Sequence, residues 1–216
     1  MKRKIFFVTG TDTGVGKTVL TVLFLKFLRE RGVNAAALKP ICSGGRGDAR
    51  KIFAAMDGAF EVQRPKAKGQ RLALSLDEIN PWHFRAAIAP LLAARRENKK
   101  VKLSQVVAHI RAMQKRFDVL LVEGAGGLLS PLGEGFNSRD LILVLRASPI
   151  IVAQNKIGAV NQVLLALEAL PKNVRAKSRV VLMSPRKPDA AAKTNAQLLA
   201  EFSEPEKISV LKRFNK

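Results

Sequence analysis

The stretch Gly10-Thr11-Asp12-Thr13-Gly14-Val15-Gly16-Lys17-Thr18 constrains this chain more than any other. Ahead of it, Lys4 to Thr9 is a short β-branched and aromatic run that reads as a strand ending in a loop. Behind it, Val19, Leu20, Leu23, Phe24, Phe27 and Leu28 recur at helical spacing between Lys17 and Arg31, and Gly32 ends the pattern as a C-terminal cap. Strand, glycine-rich loop and helix in that order make a cradle for phosphate. Glycines let backbone N–H groups approach phosphate oxygens closely, and the helix N-terminus adds a favourable dipole. Lys17 is then expected to reach the β- and γ-phosphates of a nucleoside triphosphate, and the Thr18 hydroxyl to ligate magnesium. The strict pattern places glycine six residues before the lysine, where this chain has Thr11; Gly10 lies one place further back. A glycine-rich turn with an incidental Gly-Lys-Thr is the alternative, and the strand and helix on either side argue against it.

The rest of the chain continues the alternation. Ala35 to Leu38 reads as a second strand ended by Lys39-Pro40, and a glycine loop from Ser43 to Gly47 leads into a helix over Asp48 to Ala55. Phe60 to Gly69 is polar, basic and aperiodic, and is expected to be an exposed loop or insertion. Helical patterns follow near Arg85 to Glu97 and Ser104 to Arg116. Phe117 to Val122, Pro149 to Ala153 and Arg179 to Met183 are almost purely apolar, as suits strands buried on both faces of a parallel sheet, with helices between them. Such alternation implies right-handed βαβ units and an α/β fold in which helices flank a mostly parallel sheet. Neither an internal repeat nor a linker is visible, so residues 1–216 are expected to form one domain.

The formal net charge of +21, from 38 Lys and Arg against 17 Asp and Glu, raises the question of a nucleic-acid partner. The charges are scattered in small clusters, there is no tyrosine, and no run alternates basic with aromatic residues, which speaks against that partner. A solvated basic surface is the better reading. No segment approaches the roughly 20 apolar residues of a membrane helix. Cys42 is the single cysteine, so no intramolecular disulfide can form and a reducing cytoplasm is the natural compartment.

Five segments in order resemble dethiobiotin synthetase, a family of P-loop ATP-dependent ligases. They are the run from Phe7 through Lys17-Thr18 with its displaced glycine, Leu38-Lys39-Pro40-Ile41-Cys42-Ser43-Gly44, Ile79-Asn80-Pro81-Trp82-His83-Phe84, Val122-Glu123-Gly124-Ala125-Gly126-Gly127, and Lys156-Ile157-Gly158-Ala159-Val160-Asn161. The phosphate loop and Glu-Gly-Ala-Gly-Gly are shared in part with other P-loop proteins; Lys-Pro-x-x-Ser-Gly together with Asn-Pro is more particular. The resemblance implies a P-loop nucleotide-hydrolase fold and ring-closing carboxylation of 7,8-diaminopelargonate with carbon dioxide and ATP, by way of a carbamate and its mixed anhydride with phosphate. It also implies a cytoplasmic homodimer whose substrate site is shared across the subunit interface.

What the resemblance implies for single residues follows the motifs. Lys17 and Lys39 are the expected catalytic cations, facing the carbamate and the γ-phosphate. Thr13, Gly14, Val15, Gly16, Lys17 and Thr18 are expected on the nucleotide, together with Glu123, Gly124 and Gly126. Magnesium falls to Thr18, Asp48 and Glu123, the oxygen ligands it prefers. Substrate contacts fall to Thr11, Ser43 and Gly124 and, from the partner subunit, to the helix start formed by Gly158, Ala159, Val160 and Asn161. Plainer roles stand beside these: Lys39 as a solvated lysine at a strand end, Asp48 as an acidic residue favoured by a helix dipole, and the glycines from Gly124 to Gly127 as tight packing. His83 and His109 lack partners at metal-ligand spacing, and Cys42 reads as a small buried hydrophobe. Where the family usually has Asn-Asp, the asparagine reading adenine, this chain has Ser184-Pro185, and Gln162 stands where histidine is common. Two other readings are a partition- or positioning-type P-loop ATPase and a basic nucleic-acid-binding protein. The first carries a second lysine early in the loop, where this chain has Asp12.

Overall fold

The computed structural model describes residues 3–57 and 74–212; the expected loop from Phe60 to Gly69 lies outside them. Along the chain run β1 (Lys4–Gly10), α1 (Lys17–Glu30), β2 (Ala35–Leu38), β3 (Ile41–Ser43), α2 (Gly47–Asp57), α3 (Leu76–Ile79) and β4 (Trp82–Phe84). Then follow α4 (Pro90–Arg96), α5 (Leu103–Gln114), β5 (Val119–Glu123), β6 (Pro131–Gly133), β7 (Phe136–Asn137), α6 (Ser138–Leu145) and β8 (Ser148–Gln154). The last elements are α7 (Ala159–Glu168), α8 (Lys172–Arg175), β9 (Arg179–Met183), α9 (Ala190–Ala200) and β10 (Ile208–Leu211).

Six strands form one sheet in the order β10-β9-β8-β1-β5-β2, with every neighbouring pair parallel. The apolar strands lie where their composition sends them. Phe7, Leu120, Leu121 and Ile151 are fully buried within the sheet. In β2 the side chains of Ala35, Ala36 and Ala37 are shut from water, so helices pack close against that edge of the sheet. Parallel strands carry their ligand sites beyond the carboxyl ends. Register then decides which residues meet there. Leu38 pairs with Val122, so the next residues, Lys39 and Glu123, emerge side by side.

Three features differ from expectation. The pattern over Arg85 to Glu97 is helical only from Pro90. Ala89 is extended, as a residue before proline prefers, and Pro90 takes the first helical turn, where its missing N–H costs nothing. The segment between β5 and β8 holds a small antiparallel pair, β6 and β7, before its helix α6. A second small sheet pairs β3 with β4 in parallel and brings Cys42 opposite His83. Its three-residue strands are too short to show periodicity.

Candidate active site

The phosphate loop begins where β1 leaves the sheet. A Cβ on Gly10 would sit 2.7 Å from Val15 Cγ2 and 3.2 Å from Lys17 Nζ, so only glycine fits there. Thr11 still donates its N–H to the Val152 carbonyl at 2.9 Å, as a continuation of the strand, and its φ is not positive. The displaced glycine therefore has a local cause: the crowded position is 10, not 11. The chain turns at Gly14 (φ 74°) and Gly16 (φ 102°), left-handed values that suit glycine. Gly16 starts α1 with no side-chain cap, so the first turn of the helix faces the cleft uncapped.

Lys17 is 6% exposed and folds back over the loop to donate to the Asp12 carbonyl at 2.7 Å. Burial, and then the nearby Lys39 ammonium, lower its pKa to about 8, against opposing pulls from Glu123, Asp48 and Asp12. Thr18 donates its hydroxyl to Glu123 Oε1 at 2.7 Å. Lys39 donates to the same oxygen at 2.7 Å and to the Gly124 carbonyl at 2.8 Å, with Asp48 Oδ2 at 3.7 Å. Burial by itself lowers the Lys39 pKa, but the charge of Glu123, helped by Cys42 and Asp48, more than reverses this and holds the ammonium above its ordinary range. Lys39 is thus no solvated strand-end lysine.

Glu123 is 1% exposed, and its second oxygen, Oε2, is buried with no hydrogen-bond partner among the described residues. A buried carboxylate oxygen left open is costly unless a cation or donor meets it. Thr18, Glu123 and the half-exposed Asp48 in the first turn of α2 thus gather hard oxygen donors, the set that suits magnesium.

A cleft of about 710 Å³ opens in front of these groups. Its lining takes in Thr13, Gly14 and Gly16 to Thr18 from the loop, Lys39, Cys42, Ser43 and Asp48 from the segments after β2, and Gly126 and Ser130 after β5. Residues Ala87 to Pro90, between β4 and the start of α4, supply an apolar wall. Thr11, Val15, Glu123 and Gly124 are not on the lining. Val15 belongs to the core, and Gly124 is glycine for packing, since a Cβ there would lie 2.8 Å from Ser138 Oγ and 3.1 Å from the Phe7 ring. Gly126 has φ 68° and an equally blocked Cβ direction, at 2.5 Å from Ser130 Oγ. Cys42 is buried and its thiol is pushed up to about 11, first by that burial, in keeping with a structural role. His83 is exposed and His109 meets the Glu78 carbonyl at 2.8 Å; neither lines the cleft.

Two sets stand apart from this cleft. Gly158 (φ 82°) caps α7 without a side-chain bond, Ala159 is buried and Asn161 exposed, and none of these, nor Val160, lines the cleft of its own chain. Ser184, at the end of β9, accepts from Asn155 Nδ2 at 3.0 Å; that nitrogen also donates to the Ala192 carbonyl at 2.7 Å, and Asn195 donates to Asn155 Oδ1 at 2.9 Å.

Sequence reasoning gave no role to Asn80 or Arg46. Asn80 is fully buried and donates Nδ2 to the Lys39 carbonyl at 2.7 Å, while Arg46 Nε donates to Asn80 Oδ1 at 3.2 Å. The available signal was the Asn-Pro dipeptide, which marks a turn and belongs to one of the segments that carry the family resemblance, without naming what the turn holds.

Residues 4–213 match a family model described as an AAA domain. The ATP-dependent dethiobiotin synthetase BioD of Akkermansia muciniphila is 38% identical over 200 residues, covering 92% of this chain and 87% of the relative. The protein of the same name from Thermodesulfovibrio yellowstonii is 35% identical over 206 residues, covering 91% and 83%. Among solved structures, a ParA family ATPase from Chlorobium tepidum superposes with a TM-score of 0.55 at 12% identity, covering 100% of this chain and 84% of that one, a likeness of fold alone.

Proposed function

The chain belongs to the dethiobiotin synthetase family, and from that premise we propose how its residues divide the work of closing the dethiobiotin ring. It is an ATP-dependent ligase. Its substrates are 7,8-diaminopelargonate, carbon dioxide or bicarbonate, and the nucleoside triphosphate. One amine of diaminopelargonate attacks carbon dioxide and loses a proton, giving a carbamate. A carbamate oxygen attacks the γ-phosphorus while the bridging P–O bond to ADP breaks. The second amine then attacks the carbamoyl carbon, and phosphate and a proton leave as the ring closes.

The observation that carries this reading is that Lys17 and Lys39 border one cleft with the glycine loop and Ser43. Phosphoryl transfer needs positioned groups and fixed positive charge more than covalent help. Lys17 releases the Asp12 carbonyl and turns to the β- and γ-phosphates, with the amides of Thr13 to Thr18 and the Gly126 backbone around them. Lys39 offsets charge between γ-phosphate and carbamate, and Ser43 hydrogen-bonds the carbamate; Thr11 and Gly124, which do not line the cleft, are the remaining substrate contacts. Thr18, Asp48 and Glu123 hold magnesium, whose chemistry is to neutralise phosphate charge; the open Glu123 Oε2 supports this assignment. The carboxylate tail of the substrate is received by Gly158 to Asn161 of a second subunit in a homodimer. The exposed Ile157, just ahead of that helix start, and Leu165, further along α7, support a covered face. The whole of residues 1–216 works as one such domain. The compartment is the cytoplasm, consistent with the lone reduced cysteine and, among the described residues, no helix long and apolar enough to cross a membrane.

The test is phosphate release with magnesium and ATP, alone and with diaminopelargonate plus bicarbonate. Release that depends on diaminopelargonate is expected. Equal turnover with ATP alone would favour a partition-type ATPase instead.

A further inference from the structure

We propose that Asn80 is a positioning residue for Lys39, with Arg46 as its anchor; the inference rests on the role given to Lys39 above. Lys39 sits on the two-residue link between β2 and β3, a segment too short to hold itself in sheet hydrogen bonds. Its support comes from the strap that joins α3 to β4. The Lys39 N–H donates to the Ile79 carbonyl at 3.0 Å, and the Trp82 N–H donates to the Pro40 carbonyl at 3.0 Å. Between these two bonds lies the Asn80 amide. Its Nδ2 donates to the carbonyls of Lys39 at 2.7 Å, Pro40 at 3.3 Å and Trp82 at 3.4 Å.

Asparagine suits the place because one rigid amide offers donors on one side and an acceptor on the other. The acceptor is used as well. Arg46 donates Nε to Asn80 Oδ1 at 3.2 Å and Nη2 to the carbonyls of Asn80 at 3.0 Å and Leu76 at 2.8 Å, and it pairs with Asp77 at 2.8 Å. That network fixes which way the amide faces: the guanidinium can only donate, so it selects the oxygen and turns Nδ2 toward Lys39. Neither Asn80 nor Arg46 lines the cleft, so neither touches substrate. They act through the lysine backbone, from which Nζ reaches Glu123 and Gly124. Removing the clamp lets the link move, and a shift of about 1 Å in a reacting group can cost on the order of 100-fold in rate.

The experiment is a double-mutant cycle on the full chain, read as single-turnover phosphate release with saturating ATP, magnesium, diaminopelargonate and bicarbonate. Asn80→Ala is expected to lower the single-turnover rate at least about tenfold, while KM for ATP, read separately from steady-state turnover at varied ATP, stays within about threefold because the phosphate loop is untouched. Arg46→Ala is expected to lower it less, since Nδ2 keeps its carbonyls. In a Lys39→Met background each should cost less than about twofold, because the group they position is gone. An equal loss in both backgrounds would overturn the proposal, leaving Asn80 as fold support only. A Lys39→Met protein with full activity would overturn the role of Lys39 itself, and the inference with it. Should Asn80→Ala not fold, the Arg46→Ala arm alone decides by the same comparison.

Discussion

The Lys39 ammonium donates to Glu123 Oε1 at 2.7 Å with both side chains almost wholly buried, and Thr18 donates to the same oxygen. One carboxylate oxygen thus serves a cation and a hydroxyl, while the other is buried without a partner among the described residues. This asymmetry separates two acidic residues that the sequence places in one role.

Glu123→Gln should destabilise the nucleotide-free protein by about 3 kcal/mol, because it strands a buried ammonium beside a neutral amide. Thermal or urea unfolding measures this directly. A melting point unchanged from wild type would show that Lys39 loses its proton or escapes to solvent instead.

Asp48→Asn should leave stability almost unaltered, since its side chain is 45% exposed and lies 3.7 Å from Lys39. The magnesium concentration for half-maximal phosphate release should rise several-fold, as expected when a hard cation loses an anionic ligand. Normal magnesium dependence in an otherwise active Asp48→Asn enzyme would remove Asp48 from the metal set.

Lys17 gives a pH signature in the absence of nucleotide. Its folded pKa of about 8 lies below the ordinary lysine value of 10.5, chiefly through burial. Below pH 8 both folded and unfolded chains are protonated here, and the full cost of the buried charge is felt. Between pH 8 and 10.5 the unfolded chain binds more protons, so stability rises with pH. The total is on the order of 3 kcal/mol at about 1.4 kcal/mol per pKa unit. Comparing urea unfolding of wild type and Lys17→Met across that window isolates the effect from the rest of the +21 charge. Parallel curves would mean that Lys17 titrates as an exposed lysine.

How much of this was legible in the sequence varies by element. Long apolar strands such as β8 and β9 announce themselves, since burial on both faces leaves only one kind of residue. Lys17 and Thr18 were readable because loop chemistry fixes their spacing. The pairing of Lys39 with Glu123 was not, because it depends on strand register across 84 residues. Asn80 was hidden for the same reason: its partners Lys39 and Pro40 lie 41 and 40 residues away, joined through a small sheet with no pattern of its own. The reason for glycine at position 10 needed the packed positions of Val15 and Lys17.

That packing makes Gly10→Ala informative. The added Cβ must displace Val15 or the Lys17 ammonium, so the ATP dissociation constant should rise about tenfold or more, roughly 1.4 kcal/mol. Calorimetric titration reads it. Unaltered ATP affinity would mean that the loop relaxes freely and that the displaced glycine has no steric cause.

Selection of the nucleotide base turns on Ser184-Pro185, which stands where the family resemblance implies an asparagine. Triphosphate affinity should come from the loop around Lys17 and from magnesium, both blind to the base. Reading adenine takes a donor and an acceptor set against the ring edge, which an asparagine supplies in one amide. Ser184 has only a hydroxyl, its oxygen already accepts from Asn155, and Pro185 behind it has no N–H. Asn155 and Asn195 are themselves tied to each other and to the Ala192 and Lys156 carbonyls, so neither amide is free to turn toward a base without breaking buried bonds. A lost base hydrogen bond costs on the order of 1 kcal/mol when water replaces it, less than tenfold in affinity. ATP, CTP and GTP should therefore support ring closure with kcat/KM values within roughly tenfold of one another. A preference for ATP above about a hundredfold, or roughly 2.7 kcal/mol, would show that residues beyond Ser184 have rebuilt an adenine pocket.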